Sequence, residues 1–268
     1  VSGETGVAAS TAARVRLCVD GPVATIAIDR PEARNAMTFA MWDRLGDLAR
    51  EVGAHPDVRV VIVKGTPTAF ASGADIAEFA TFAGPEDGRR YEARVDRALD
   101  ALESVRRPTI AALSGVVTGG GCILAAACDL RVGEPGLRVG IPVARTLGNC
   151  LTAKNAARVV ALIGATKLKE LIVTADLISA DRALQIGFLS EVTAPGVALD
   201  DRVAELAARV ATFAPRTIAA TKELTRRLRD AHPPVVDDDL VASCYGSEDF
   251  REGVAAFVGK RTPQWRDR

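Results

Sequence analysis

The stretch Thr118-Gly119-Gly120-Gly121-Cys122-Ile123-Leu124-Ala125-Ala126-Ala127-Cys128-Asp129-Leu130-Arg131 decides how the chain reads. Its glycines mark a turn that enters a helix over TGGGCILAAA, and CDLRVG behind it reads as a strand. Just upstream, TIAAL at 109–113 follows Pro108 and reads as another short strand. Strand, glycine turn, helix and strand in so short a span predict an α/β unit.

Working outward, VRVVIVK at 58–64 is a near-continuous apolar run, as expected of a strand buried on both faces, and Gly65 ends it. A loop, TPTAFASGAD, and a long helix over about 85–106 follow. Nearer the N-terminus, 14–20 and 23–29 are β-rich runs around Asp20-Gly21-Pro22, a hairpin or two successive strands with a tight turn. After the loop RPEARNAMT, Thr38 is set to cap a helix to about Gly53, with Phe39, Met41, Trp42, Leu45 and Leu48 on recurring faces. Downstream, the pattern is helical over 152–163, 166–174, 180–187, 200–212 and 215–230. His232-Pro233-Pro234 breaks it before helices at 236–245 and 248–258. The order predicts an α/β fold with a helical C-terminal piece.

The composition narrows the function. The chain has 268 residues, 48% hydrophobic and 25% charged, which excludes a disordered or collagen-like chain. Lys+Arg and Asp+Glu are both 34, so the zero net charge gives no support to nucleic acid or an anionic membrane as a partner. Five cysteines, at 18, 122, 128, 150 and 244, include no CxxC pair, so no zinc cage or disulfide framework is suggested. With no run of 18 apolar residues, the expectation is a cytoplasmic protein with a loose tail over 1–13. The only histidines, His55 and His232, sit beside prolines in turns, which speaks against a Ser-His-Asp or Cys-His unit. No metal-ligand, Walker A or dinucleotide spacing is present.

Two segments carry chemistry. Phe70-Ala71-Ser72-Gly73-Ala74-Asp75-Ile76 follows a buried strand, and small residues there let a ligand approach the backbone. Asp75 is placed to cap a following helix. The glycines at 119–121 open a second turn with unpaired N–H groups. Facing each other, the two turns would make an oxyanion hole of backbone amides.

Five motifs in order resemble the crotonase superfamily of enoyl-CoA hydratases and isomerases. They are RPEARNAM at 30–37, FASGADI at 70–76, TGGGCILAAACDLR at 118–131, DRALQIGFLSEV at 181–192 and REGVAAFVGKR at 251–261. The resemblance implies an α/β fold built as a spiral of ββα units with two packed sheets, over 14–199. A helical trimerisation region over 200–268 would give a homotrimer or a dimer of trimers. It implies an acyl-CoA thioester as substrate, with coenzyme A entering as part of it and no cofactor bound permanently. By motif position, the Ala74 and Gly120 amides would hold the thioester oxygen of an enolate. Coenzyme A contacts would map onto Ala33, Arg34, Ala71, Asp75 and Ile76. Phe257 and Lys260 would lie near the nucleotide end, often across a subunit boundary. Arg34 and Lys260 would suit phosphates.

The sequence departs from the family at its acid/base pair. The hydratases carry glutamates after GGGC and after a proline in FGxPE; here those positions are Ile123 and Val143, and a one-residue shift gives Ala144. Each positioned acid or base is worth roughly 10²–10⁴ in rate, so ordinary hydration is not expected. Ile123 and Val143 would leave a drier acyl pocket, to which Arg145 and Asn149 add polar groups, and Arg145 suits a carboxylate. A divergent hydratase, isomerase, decarboxylase or hydrolase remains open, as do a non-catalytic acyl-CoA-binding protein and a scaffold subunit.

Overall fold

The computed structural model describes residues 14–231 and 235–268. The expected tail over 1–13 and the break at His232-Pro233-Pro234 lie outside the described residues. Strands β1 (Val15–Asp20) and β2 (Val23–Ile28) pair antiparallel from Val15 opposite Ile28 to Asp20 opposite Val23, the expected hairpin. Strands β3 (Val60–Lys64), β5 (Thr109–Leu113), β7 (Leu130–Gly133) and β10 (Glu191–Val192) continue the sheet in parallel. Its order is β1-β2-β3-β5-β7-β10. A second sheet, β4-β6-β8-β9, holds β4 (Ala69–Ala71), β6 (Val116–Thr118), β8 (Arg138–Gly140) and β9 (Ile178–Ser179). The chain therefore alternates between sheets, β3 to β4, β5 to β6, β7 to β8, with helices on the return, as a ββα spiral.

Strand periodicity explains the layers. Val61, Val63, Ala111 and Leu113 join the main core, with Trp42, Leu45 and Leu48 of α1 (Phe39–Ala54). Val60, Ile62, Ile110 and Ala112 point the other way, onto Val203, Leu206 and Ala207 of α8 (Leu199–Ala211). Both faces of β3 are thus covered, which is why its sequence does not alternate. The Thr38 hydroxyl caps α1 by accepting from the Met41 N–H at 3.2 Å.

Helix α2 (Ile76–Phe79) is one turn. Helix α3 (Pro85–Glu103) begins with Asp87 accepting from the Ala83 and Gly84 amides at 2.7 and 3.1 Å. Helix α4 (Gly120–Ala126) is the expected glycine-entered helix. The loop expected around Val143 contains a one-turn helix, α5 (Val143–Thr146), closed by Thr146 onto the Pro142 carbonyl; four residues are too few to show periodicity. The two helices expected over 152–174 meet as α6 (Ala153–Thr174), kinked at Gly164, whose φ is 75°. The chain closes with α7 (Ala180–Gln185), α9 (Pro215–Arg229), α10 (Asp238–Gly246) and α11 (Glu248–Val258). Helix α9 buries none of its residues, whereas α10 sets Val241 and Tyr245 into the core. No helix among the described residues is long and apolar enough to cross a membrane.

Candidate active site

The site is assembled where two parallel strands end side by side. Strands β4 and β6 pair with Ala71 opposite Val117, so the turns after them leave the same sheet edge together. Ligands of open α/β sheets gather at such carboxyl ends. The Thr118 hydroxyl donates to the Ser72 carbonyl at 3.0 Å and ties the turns to each other. Gly73 has φ +102°, and a Cβ there would stand 3.3 Å from the Thr118 oxygen and 3.7 Å from the Gly120 nitrogen. Gly121 brings α4 against β4, where a Cβ would stand 2.1 Å from the Ala71 oxygen. Only glycine permits both approaches.

The same packing leaves two amides free. The Met37 N–H donates to the Gly73 carbonyl and the Asp75 N–H to the Met37 carbonyl, each at 2.8 Å. The Ala74 N–H between them has no acceptor among the described residues, and neither has the Gly120 N–H. Free donors next to a cavity are what an oxyanion requires.

The loop before α1 is strapped to these turns by Asn35, which is fully buried. Its Oδ1 accepts from the Arg30 N–H at 2.7 Å, and its Nδ2 donates to the Ala69 and Phe70 carbonyls at 2.7 and 3.2 Å. Arg34 and Asn35 both have left-handed φ values, 49° and 57°, which turn the Arg34 side chain outward to solvent. The Ser72 N–H donates to the Arg34 carbonyl at 3.2 Å. The turns and the loop border a cavity of about 660 Å³.

Residues 19–268 match the family profile described as enoyl-CoA hydratase/isomerase. The chain belongs to the enoyl-CoA hydratase/isomerase family. A probable enoyl-CoA hydratase of Mycobacterium leprae is 32% identical over 260 residues, 94% of this chain and 98% of that protein. A short-chain-enoyl-CoA hydratase of Clostridium acetobutylicum is 30% identical over 246 residues, 90% and 93% of the two chains. A solved methylmalonyl-CoA decarboxylase, complexed with 2S-carboxypropyl CoA, superposes with a TM-score of 0.85 at 27% identity over 94% of this chain and 98% of that one.

In this member of the family, one chain's cavity gathers most of the residues singled out in the sequence. Ala33, Arg34, Ala74, Asp75 and Ile76 line it on one side with Gly120. Val143, Arg145 and Asn149 line another part. Phe257 and Lys260, expected near a subunit boundary, line the cavity of their own chain. Ala71 and Ile123 do not line it: both side chains are buried in the core behind the turns. Ala71 faces inward from β4, and Ile123 belongs to an α4 that buries nearly all its residues.

The charges around the cavity are unevenly settled. Glu32 pairs with Arg14 and Asp75 with Arg30, both at 2.7 Å. Arg34, Arg145 and Lys260 form no ion pair with any described residue. The Cys150 thiol is pushed up by its contact with Cys244 and by burial, which does not suit a nucleophile. His55 ends α1, does not line the cavity, and accepts from the Asp57 N–H at 3.3 Å. Asp129 ties strand ends together, accepting from the Thr109 N–H at 2.7 Å and from Lys222.

Glu92, like Asn35, is not among the residues that the sequence singled out. It lies on α3, is 7% exposed, and lines the cavity. The Tyr245 hydroxyl donates to its Oε1, and Asn149 Nδ2 donates to the Tyr245 oxygen at 3.2 Å. Burial foremost raises its pKa from 4.5 to about 8. The signal was available: Glu92 falls on the apolar stripe of Tyr91, Val95, Leu99 and Leu102, where an acid is out of place.

Proposed function

We propose that the protein is an acyl-CoA-binding enzyme that stabilises a thioester enolate between the Ala74 and Gly120 amides. The observation that carries this reading is the pair of free N–H groups on facing turns, opening onto one cavity. Donors fixed before charge develops need no reorganisation during reaction, and removing one such donor typically costs ~10²–10³ in rate. Coenzyme A comes as part of the substrate, and no permanently bound cofactor is needed for this chemistry.

Arg34 and Lys260, with no ion partner among the described residues, suit the phosphates of the nucleotide end, beside the exposed ring of Phe257. Ala33, Asp75 and Ile76 would flank the pantetheine arm, with Ala71 supporting from behind. Arg145 and Asn149 supply polar contacts to the acyl group, while Val143 dries the wall and Ile123 backs the turn. With Ile123 and Val143 at the family's two glutamate positions, ordinary hydration of an enoyl double bond is not the expected reaction.

A homotrimer or dimer of trimers in the cytoplasm fits the same reading. Its support is the helical region from 200 on, where α9 buries no residue and Leu224, Leu228, Leu240 and Val258 are exposed.

The test is calorimetric binding of crotonyl-CoA together with loss of its enoyl absorbance at high enzyme concentration. Tight binding with little hydration is expected. Rapid hydration would contradict the argument from Ile123 and Val143, and absence of binding would contradict the thioester reading.

A further inference from the structure

One carboxyl in the cavity has no cation. Glu32 and Asp75 are held by arginines, but Glu92 forms no ion pair with any described residue. Its support is instead a chain of neutral donors, from Asn149 to Tyr245 to Glu92 Oε1, with the Asn155 amide against the same carboxyl. The chain joins three elements: α3, α10 and the segment before α6. Tyr245 reaches its place because Gly88 on α3 leaves the room; a Cβ there would stand 2.3 Å from the ring. The Tyr245 hydroxyl holds Oε1, and the Glu92 side chain lines the cavity. A buried acid with no cation is costly to keep unless the site uses it.

Resting on the thioester reading above, we propose that Glu92 is the acid–base residue of this site. It takes a proton from, and returns it to, the carbon next to the thioester carbonyl of a bound acyl-CoA. Tyr245 and Asn149 are positioning residues. In the forward step the Glu92 carboxylate accepts the α-proton. The C–H electron pair moves into the enolate, and the negative oxygen is received by the Ala74 and Gly120 amides. The reverse step returns the proton from Glu92 to carbon and restores the thioester. In D2O, exchange of the Glu92 proton with solvent converts each cycle into replacement of one α-hydrogen by deuterium.

The surroundings tune the group for both directions. Asp96 on the same helix and Asp237 before α10 raise its pKa, while Tyr245 and Asn155 lower it. Tyr91 and Cys150 also face it, and each is itself shifted upward. Arg158 on α6 is taken by Asp96, Asp100, Glu103 and Asn155. A value of about 8 leaves both protonation states populated near neutral pH, which suits a proton that must leave and return.

The experiment follows α-deuteration of butyryl-CoA in D2O by mass spectrometry, with calorimetry for binding. The wild-type chain is expected to exchange, with a rate that rises with pH and levels off above about 8. Glu92→Gln should bind butyryl-CoA within a fewfold of wild type and exchange at least ~10²-fold more slowly. Tyr245→Phe removes a donor to the carboxylate, so the pH midpoint should move upward with exchange retained. Glu92→Gln exchanging at the wild-type rate, or a wild type that binds without exchanging, overturns the proposal and leaves thioester binding standing. If Glu92→Gln does not fold, an unmoved midpoint in Tyr245→Phe overturns it. A wild type that fails to bind butyryl-CoA overturns the thioester reading itself.

Discussion

Two hollows of similar size differ in how their charges are settled. One, of about 610 Å³, lies under α9 between Cys128–Leu130 and Lys222. Every charged side chain lining it has an ion partner: Lys222 with Asp129, Arg226 with Glu223, and both Arg158 and Arg229 with Glu103. The other, of about 660 Å³, leaves Arg34, Arg145 and Lys260 without an ion partner among the described residues and buries Glu92 without a cation among them. The charges of the first hollow are satisfied within the fold, whereas these groups of the second have no ion partner among the described residues. Size alone would not separate the two.

The comparison breaks most readily at Arg158, which is buried with three carboxylates within 3.2 Å. Arg158→Ala should cost ~3–5 kcal/mol of stability, because it empties the place of a fully buried side chain and leaves Asp96 without its cation, while Asp100 keeps Lys154 and Glu103 keeps Arg229. Urea unfolding checks this, and a loss below ~1 kcal/mol would mean that the network is not structural. Asn35→Ala is the next largest effect. It takes the side-chain donor from the Phe70 carbonyl and one of the donors from the Ala69 carbonyl, which keeps Thr66, at ~1–3 kcal/mol. Because the same bond straps the Arg34 loop to the turns, affinity for acyl-CoA should fall with it. Unchanged affinity in a destabilised variant would separate the loop from the site.

Glu92 gives a pH signature of stability. Its pKa is raised from 4.5 to about 8, so the folded chain keeps a proton that the unfolded chain has released. Its contribution is therefore full below pH 4.5, declines as pH rises toward 8, and levels off above. The slope is at most ~1.4 kcal/mol per pH unit. Glu92→Gln lacks it, so the variant should gain in Tm relative to wild type between pH 5 and 8. A constant difference across that range would show that Glu92 is not held neutral. The smallest effect is at Arg34, exposed and without an ion partner among the described residues. Arg34→Ala should leave Tm unchanged and weaken acyl-CoA binding by less than ~10-fold, an effect that salt reduces. A Tm loss without an affinity loss would reassign Arg34 to the structure.

Much of this contrast was legible in the sequence. The buried strands at 60–64 and 109–113 announced themselves through unbroken apolar runs, and Thr38, Asp75 and the glycines marked the helix starts. The turns at 72–75 and 119–121 stood out because glycines beside strand ends serve close approach. The second sheet was not legible from residue patterns, since its strands are two or three residues long and show no period. Asn35 and Glu92 were overlooked for a different reason. Each is polar within a pattern explained by its neighbours, and only tertiary packing gives them their partners. Ile123 shows the converse, since a motif position placed it at the pocket and the helix turned it into the core.

The central claim is that the Gly120 amide receives the thioester oxygen, and one pair of variants tests it most directly. Gly120→Pro removes the N–H at the first position of α4, where proline is otherwise tolerated. Gly120→Ala keeps the N–H while adding a Cβ 3.2 Å from the Trp42 ring. Measured by α-deuteration of butyryl-CoA, the proline variant should lose at least ~10²-fold in rate and the alanine variant far less. Equal rates in the two variants, with butyryl-CoA still bound, would contradict the account.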